Sequence, residues 1–282
     1  MKTKSSITIL ILFVSGFALF YIIPFLGSIY YALIDNTVNR QFVGIDNFTM
    51  LLSNPVFLRA LKNTITFIIL IVPLNMILSL LLAMAVNKTS SYKELITILF
   101  LLPLVIPSAT TAFFWQKLFD LYGPVNKVLS SLGIENIDWF ESQYAVMVIA
   151  LIFLWKNIGY NMILFISGLN NISKEYYEYA SIEGAGKWKE FTNITMPCLM
   201  PTSLLILILT LVNSFKVFKE IYLITGNYPH ESIYMLQHYM NNQFHSLNYQ
   251  KLTSASLTLT ILIVLFVLLF FAIEKKVSKD LS

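Results

Sequence analysis

The sequence predicts an all-α membrane protein that crosses the bilayer six times, and two kinds of observation carry that prediction. The first is composition: of 282 residues, 57% are apolar and only 12% are charged, about half the charged share of a soluble domain. The mean hydropathy is +0.71. The second is a set of six long stretches in which charged residues are absent or single. So few polar side chains cannot cover a water-exposed surface, which excludes soluble enzymes, secreted domains and nucleic-acid-binding modules.

The six stretches are each long enough to cross a bilayer, which takes roughly 20 apolar residues in a helix. They are too long for core strands, and backbone groups in hydrocarbon must be hydrogen-bonded within their own segment. The first stretch lacks a signal-peptide cleavage site, so we predict that it is a retained helix. We predict one transmembrane domain over residues 1–282, with spans at approximately 7–33, 64–87, 95–117, 143–169, 198–222 and 253–274.

The orientation of the spans is predicted from the basic residues between them. An even number of spans places both termini on one side of the membrane. If that side is the cytoplasm, the inner segments hold ten lysines and the outer segments hold five basic residues. Because cytoplasmic loops are enriched in Lys and Arg, we predict that both termini are cytoplasmic and that 170–197 is an inner loop.

Prolines at positions 24, 73, 103 and 107 lie within the predicted spans. Each removes a helix hydrogen bond and tends to kink the helix. Bent helices would suit a pathway that opens and closes, but membrane helices also tolerate proline without any such role. The sequence leaves both interpretations open.

The inner loop from Ser173 to Glu190 is polar but patterned. Ser173 is placed to cap a short helix, and Gly184 and Gly186 would let the chain leave that helix with a positive φ. A second short helix is predicted from about Lys187 to the start of the fifth span. The resulting helix-turn-helix would expose Tyr176, Tyr177 and Trp188, either to a protein partner or to the membrane surface.

This loop resembles the EAA loop of permease subunits from bacterial ATP-binding-cassette importers. The matching residues are Glu178-Tyr179-Ala180, Gly184, Ile194 and Met196-Pro197. Two mild departures are Tyr179 for alanine and Met196 for leucine. Other segments, including 42–48, 61–64, 102–107, 155–162 and 215–220, are similar to the first permease of maltose, glycerol-phosphate and multiple-sugar importers.

The resemblance implies a type I importer permease that moves a sugar or related polyol by alternating access in a cytoplasmic membrane, in contact with lipid. It implies three kinds of protein partner: a second, homologous permease, two cytoplasmic ATP-binding subunits and an extracytoplasmic solute-binding protein. The residues that would couple this chain to an ATPase are Glu178, Ala180, Gly184, Ile194 and Pro197. The chain has no phosphate-binding loop of the Gly-x4-Gly-Lys-Ser/Thr type. We therefore expect that it is not an enzyme and that it binds no cofactor. ATP and magnesium would be held by the partner ATPase.

Polar side chains inside the fourth and fifth spans predict a solute pathway, because such residues are costly in a bilayer and usually functional. Asn213, Lys216 and Glu220 are spaced by three and four, and Lys216 could pair with Glu220 at i, i+4. Aromatic faces beside amide and charged groups suit a polyol. The alternative is that the lysines snorkel or pair only for folding. The candidate pathway residues are Trp155, Lys156, Asn157, Tyr160, Asn161, Asn213, Lys216 and Glu220.

Two other functional classes fit the sequence poorly. A membrane-embedded enzyme would need a nucleophile and base or a metal cluster, but no histidine lies in a predicted span. An ion-coupled carrier would need acidic residues in the spans, and apart from Glu274 at the last position of the sixth span only Glu220 qualifies. His230, His238 and His245 match no metal motif, and helical spacing around them predicts a short helix at the outer interface.

Overall fold

The structure is a computed structural model that describes residues 2–88 and 93–279. Within these residues every regular element is helical, apart from one isolated antiparallel bridge between Ile34 and Phe42. The predicted all-α fold class is therefore confirmed.

The α-helices follow one another with short connections. Their bounds are α1 Lys2–Phe17, α2 Ile23–Ala32, α3 Asp46–Leu52, α4 Pro55–Asn87, α5 Lys93–Val105, α6 Ser108–Leu118, α7 Pro124–Ser131, α8 Ala145–Asn170, α9 Lys174–Ile182, α10 Lys187–Glu190, α11 Met196–Lys216, α12 Phe218–Thr225, α13 Leu236–His245 and α14 Tyr249–Lys279. Two π-helical turns, Ala18–Ile22 and Phe191–Thr195, keep the chain helical between α1 and α2 and between α10 and α11. A 3-10 turn, Glu231–Ile233, precedes α13.

Five helical segments in the described residues are long and apolar enough to span a membrane: Leu10–Ala32, Pro55–Asn87, Ala145–Asn170, Lys187–Thr225 and Tyr249–Ala272. A sixth candidate is the pair α5 and α6, which qualifies only when both helices are taken as one span. This agrees with the predicted six-span architecture. The exact limits of the spans and the side on which the termini lie stay predictions.

The pair α5 and α6, the candidate third span, is bent rather than straight. Helices α5 and α6 meet at 96° across a break of two residues, where Pro107 has an extended conformation with φ −55° and ψ 143°. Proline has no N–H group to continue a helix, and it forces the preceding residue out of the helical region. The predicted kink at Pro107 is thus observed as a sharp bend, whereas Pro73 lies inside the continuous helix α4.

The chain separates into two compact units. One comprises residues 2–60 and 236–262. In it, the buried Asn47 side chain donates hydrogen bonds to the backbone carbonyls of Ala32 and Ile34, at 2.9 and 2.8 Å. The rings of Phe57 and Tyr239 meet edge to face with centroids 5.4 Å apart. The predicted short helix before the last span is present as α13, which begins at Leu236 and ends at His245.

The second unit comprises residues 61–235 and 263–279, and its centre is α8. Glycines let neighbouring helices approach the α8 backbone. A Cβ atom at Gly159 would lie 1.8 Å from the Phe100 carbonyl oxygen of α5, and one at Gly168 would lie 2.8 Å from the Leu199 side chain of α11. Small residues at helix crossings are typical of membrane proteins, where close backbone approach supplies the packing energy.

Candidate functional site

A buried ion pair lies where three helices of the second unit meet. The Lys156 ammonium on α8 is 2.5 Å from Glu220 Oε1 on α12, and the two side chains are 16% and 6% exposed. The Ser108 hydroxyl, at the start of α6, donates to the same Glu220 oxygen at 2.8 Å. Lys156 also donates to Ser108 Oγ at 3.2 Å. Hydrogen bonds of this kind stabilise a buried charge pair that would otherwise be costly to desolvate.

The bend at Pro107 brings Ser108 to the other two side chains, since it makes Ser108 the first residue of α6. The predicted pairing of Lys216 with Glu220 is wrong, because Glu220 pairs with Lys156 of α8. Lys216 instead donates to Asn213 Oδ1 at 3.1 Å.

This ion pair lines an open cavity of about 170 Å³. Its apolar wall includes Ile152 and Phe153. Five of the predicted pathway residues line it, namely Lys156, Asn157, Asn213, Lys216 and Glu220. Ser108 and Lys219 also line it and were missed from the sequence. The sequence offered one signal for each: Lys219 follows Lys216 by three residues, and Ser108 directly follows Pro107, a residue that breaks helices.

The structure places the other three predicted pathway residues away from the cavity. Trp155 packs in an aromatic cluster, with its ring stacked on Phe114 at 6.4 Å between centroids. Tyr160 is half-buried and does not line the cavity. Asn161 is 1% exposed, and its amide donates to Asn75 Oδ1 at 2.6 Å and to Thr210 Oγ1 at 2.8 Å. These bonds join α8 to α4 and α11, which is a role in helix packing.

The inner loop forms the predicted helix-turn-helix. The Ser173 side chain accepts a hydrogen bond from the Glu175 backbone N–H at 3.3 Å, so it caps α9 as predicted. At the other end, Gly184 has φ +75°. The N–H of Ala185 bonds the Ala180 carbonyl at 2.9 Å, and the N–H of Gly184 bonds the Ser181 carbonyl at 3.1 Å. These two bonds make the Schellman end that a left-handed residue permits.

Gly186 was also predicted to have a positive φ, and that prediction is wrong. Its φ is −75° with an extended ψ of 163°, and it lies at the N-terminus of α10. One left-handed residue is enough to end α9, so the second glycine is not needed for the reversal.

Helix α9 has one exposed side and one side that contacts the rest of the chain. Tyr176, Tyr179 and Ile182 of α9 are each more than half exposed, as is Trp188 of α10. Tyr177 was predicted to be exposed but is half-buried, and its hydroxyl lies 3.0 Å from Thr195 Oγ1.

The five predicted coupling residues occupy different positions on this element. Glu178 is exposed and Ala180 is half-buried. Ile194 packs with Leu199 and residues of α8 in a buried cluster. Pro197 is half-buried near the start of α11, and Gly184 makes the turn. An ion pair between Lys187 and the buried Glu190, 2.9 Å apart, lies at the base of the loop.

No cluster of three or more His, Cys, Asp or Glu side chains that could hold a metal ion lies in the described residues. The polar groups that line the cavity are ammonium, amide, hydroxyl and carboxylate groups.

Comparisons with known proteins agree on one kind of membrane protein. Residues 75–282 match the family model described as the inner membrane component of binding-protein-dependent transport systems. A sulfoquinovosyl glycerol transport permease from Agrobacterium fabrum is 31% identical over 71% of this chain and 66% of its own length. A lactose transport permease from Rhizobium radiobacter is 30% identical over 92% of this chain and 91% of its own. A crystal structure of a bacterial ABC transporter for the acidic polysaccharide alginate has the same fold, with a TM-score of 0.85, 23% identity and coverage of 98% and 96%.

Proposed function

Since the chain belongs to the family of inner membrane components of binding-protein-dependent transport systems, a multi-pass protein of the cytoplasmic membrane, we propose that it is the permease subunit of an ATP-driven importer. Its solute is a sugar or a related polyol. The observation that carries this proposal is the alignment with the lactose permease along 92% of the chain, since it includes both the inner loop and the cavity.

The cavity has the chemistry that a hydroxyl-rich solute requires. The amides of Asn157 and Asn213 and the ammonium of Lys216 line it beside apolar side chains. Amides donate and accept, ammonium groups donate, and hydroxyl groups of a polyol can do both. Apolar wall residues contact the less polar ring faces. These features support a solute pathway on the inner surfaces of α8 and α11.

ATP hydrolysis by a partner subunit drives transport, and α9 is the element through which that subunit moves this chain. The exposed face of α9, with Glu178, Tyr179 and Ile182, docks on a cytoplasmic ATP-binding subunit that holds ATP and magnesium. A second permease binds the other ATP-binding subunit in the same way, and a solute-binding protein delivers solute on the outer side. This chain itself binds no cofactor and performs no hydrolysis.

The attachment of α9 to the core supports this mechanism. Tyr177 and Ile194 connect the loop with the region where α8 and α11 pack together. Those two helices carry Lys156 and Asn213 of the cavity. Movement of α9 with the ATP-binding subunit would therefore be passed to the cavity walls, and the cavity would open alternately to the two sides of the membrane.

The test exploits the two glycines of the loop. Gly184 has φ +75° and Gly186 does not, and a Cβ atom meets nothing within 4 Å at either position. Gly184→Val therefore strains the turn without a clash, whereas Gly186→Val is a matched control. In the assembled complex, we expect Gly184→Val to reduce ATP turnover stimulated by loaded binding protein at least about fivefold, with assembly retained, since roughly 1–2 kcal/mol of strain displaces the docking helix. Equal stimulation in both variants would show that α9 is not the coupling element.

A further inference from the structure

The cavity around the ion pair carries more positive than negative charge. Three lysines line it, Lys156, Lys216 and Lys219, against a single carboxylate, Glu220. Glu220 is already paired with Lys156 and accepts a hydrogen bond from Ser108. The carboxylate that lines the cavity is thus already neutralised by one of the three lysines.

The two remaining lysines have no carboxylate partner in the described part of the chain. Lys216 donates to the neutral amide oxygen of Asn213, and neither Lys216 nor Lys219 takes part in an ion pair between described residues. Both side chains are exposed at the rim of the cavity. An ammonium group within or near a membrane span is costly unless a counter-charge or water stabilises it.

A helix terminus adds to the same positive field. Helix α6 is eleven residues long and begins at Ser108, which lines the cavity. The N-terminus of a helix presents unpaired N–H groups and a partial positive charge. The lysines and the helix terminus therefore act in the same direction.

We infer that the solute is an anion: a sugar or polyol that carries a carboxylate, sulfonate or phosphate group, which Lys216 and Lys219 contact at the cavity rim. This inference rests on the proposed importer function and makes its solute class narrower. The hydroxyl groups of the solute bond to Asn157 and Asn213, and Glu220 does not repel the anion because Lys156 neutralises it. A neutral sugar would leave both rim lysines without a counter-charge.

The electrostatic part can be measured without knowing the solute. Cys198 is the single cysteine of the chain, so a Cys198→Ser, Asn213→Cys protein has one thiol, in the cavity. In the assembled complex, the rate of modification by anionic 2-sulfonatoethyl methanethiosulfonate is divided by that for the cationic trimethylammonioethyl reagent. Both reagents use the same access route, so their ratio, normalised to a free thiol, reports the local potential.

The expected result is a ratio raised about tenfold, since two nearby cations attract one reagent and repel the other. Adding Lys216→Gln and Lys219→Gln should bring it back to about one. The matched control, Lys117→Gln with Lys127→Gln, removes the same charge outside the cavity and should leave the ratio raised. A ratio near one in the parent protein would overturn the inference.

Uptake by cells that contain the whole importer tests the solute itself. The probes are sn-glycerol 3-phosphate, a disaccharide containing glucuronate, and lactose as the neutral probe. We expect an anionic probe to be taken up and to lose about tenfold in uptake in the Lys216→Gln, Lys219→Gln variant, with recovery when both lysines are replaced by arginine. Uptake of lactose alone, unchanged in that variant, would overturn the inference while leaving the importer function standing. If none of the three probes is taken up, the reagent ratio alone decides whether the cavity prefers anions, and the importer function is tested separately by the ATP turnover of the Gly184→Val complex.

Discussion

Lys156 and Glu220 hold three helices together through charges that are nearly removed from water. Removing one member leaves the other charged and buried, which is typically worth 3–5 kcal/mol, whereas removing both is often close to neutral. We therefore expect Lys156→Met to lower the stability of the purified complex by about 3 kcal/mol or more. The double variant Lys156→Met, Glu220→Gln should recover most of the loss. Thermal unfolding in detergent, with Lys216→Met as the control that breaks no ion pair, measures both.

A double variant as unstable as the single one would contradict this account of the ion pair. It would mean that the loss comes from packing around Lys156 rather than from an uncompensated Glu220.

His238 is fully buried in α13, outside the predicted spans. Burial lowers its pKa from 6.5 to about 4, because desolvation disfavours the charged form. As the pH falls, the imidazole of this residue is therefore protonated at a higher pH in the unfolded chain than in the folded one. Its contribution to the free energy of unfolding is fully present above pH 6.5 and is lost as the pH decreases towards 4. The full loss is about 3 kcal/mol.

The expected signature is a drop in unfolding temperature between pH 6.5 and 4. It should be much smaller in His238→Gln and undiminished in His245→Gln, because His245 is exposed. The same slope in all three proteins would assign the pH dependence to other groups.

At this scale the sequence predicts residue type better than residue environment. Lys156, Asn157, Asn213, Lys216 and Glu220 were identified because charged and amide groups are rare in spans, and they do line the cavity. Asn161 has the same chemistry but faces Asn75 and Thr210. Which neighbouring helix, or which part of the cavity, each residue of α8 meets depends on how the helices pack. The mostly apolar sequence of the span does not encode that packing.

Helix α8 meets α5 by backbone contact at Gly159. An alanine methyl there would lie 1.8 Å from the Phe100 carbonyl oxygen, so the two helices would have to separate. We expect Gly159→Ala to cost about 1–3 kcal/mol, the usual cost of overpacking, and to reduce the yield of folded protein. Gly27→Ala is the matched control, since a Cβ atom at Gly27 meets nothing within 4 Å. Fluorescence-detected size exclusion of both variants would measure the difference, and equal yields would contradict the close contact.

Helix existence was predictable and helix continuity was not. The apolar stretches have lengths that only helices can use in a bilayer, and the inner loop carried a cap at Ser173 and a turn at Gly184. Side-chain partners on other helices were not predictable either, since Glu220 pairs with Lys156 of α8 rather than with Lys216 of its own span. Both Lys216 and Glu220 line the cavity, and their role in a solute pathway stays a prediction.

The orientation of the whole molecule is the remaining topological prediction. Ten basic residues in the predicted inner segments against five in the outer ones predict that both termini lie in the cytoplasm. Reporter fusions after residues 130 and 180 should report the outer and the inner side respectively, and the termini should be protected from outside protease. The reverse pattern would contradict the orientation, and the same side for both fusions would contradict the number of spans between them.

The bend at Pro107 constrains how the molecule enters the bilayer during synthesis. Helix α5 has 13 residues and α6 has 11, lengths of about 20 and 16 Å, and neither alone crosses a hydrocarbon core of about 30 Å. The open backbone groups at the bend cannot face lipid. Helix α8 packs against α5 at Gly159 and begins only at Ala145. We therefore expect the bent pair to complete its insertion after α8 has left the ribosome, and a nascent chain stalled before Ala145 should leave α5 and α6 incompletely inserted.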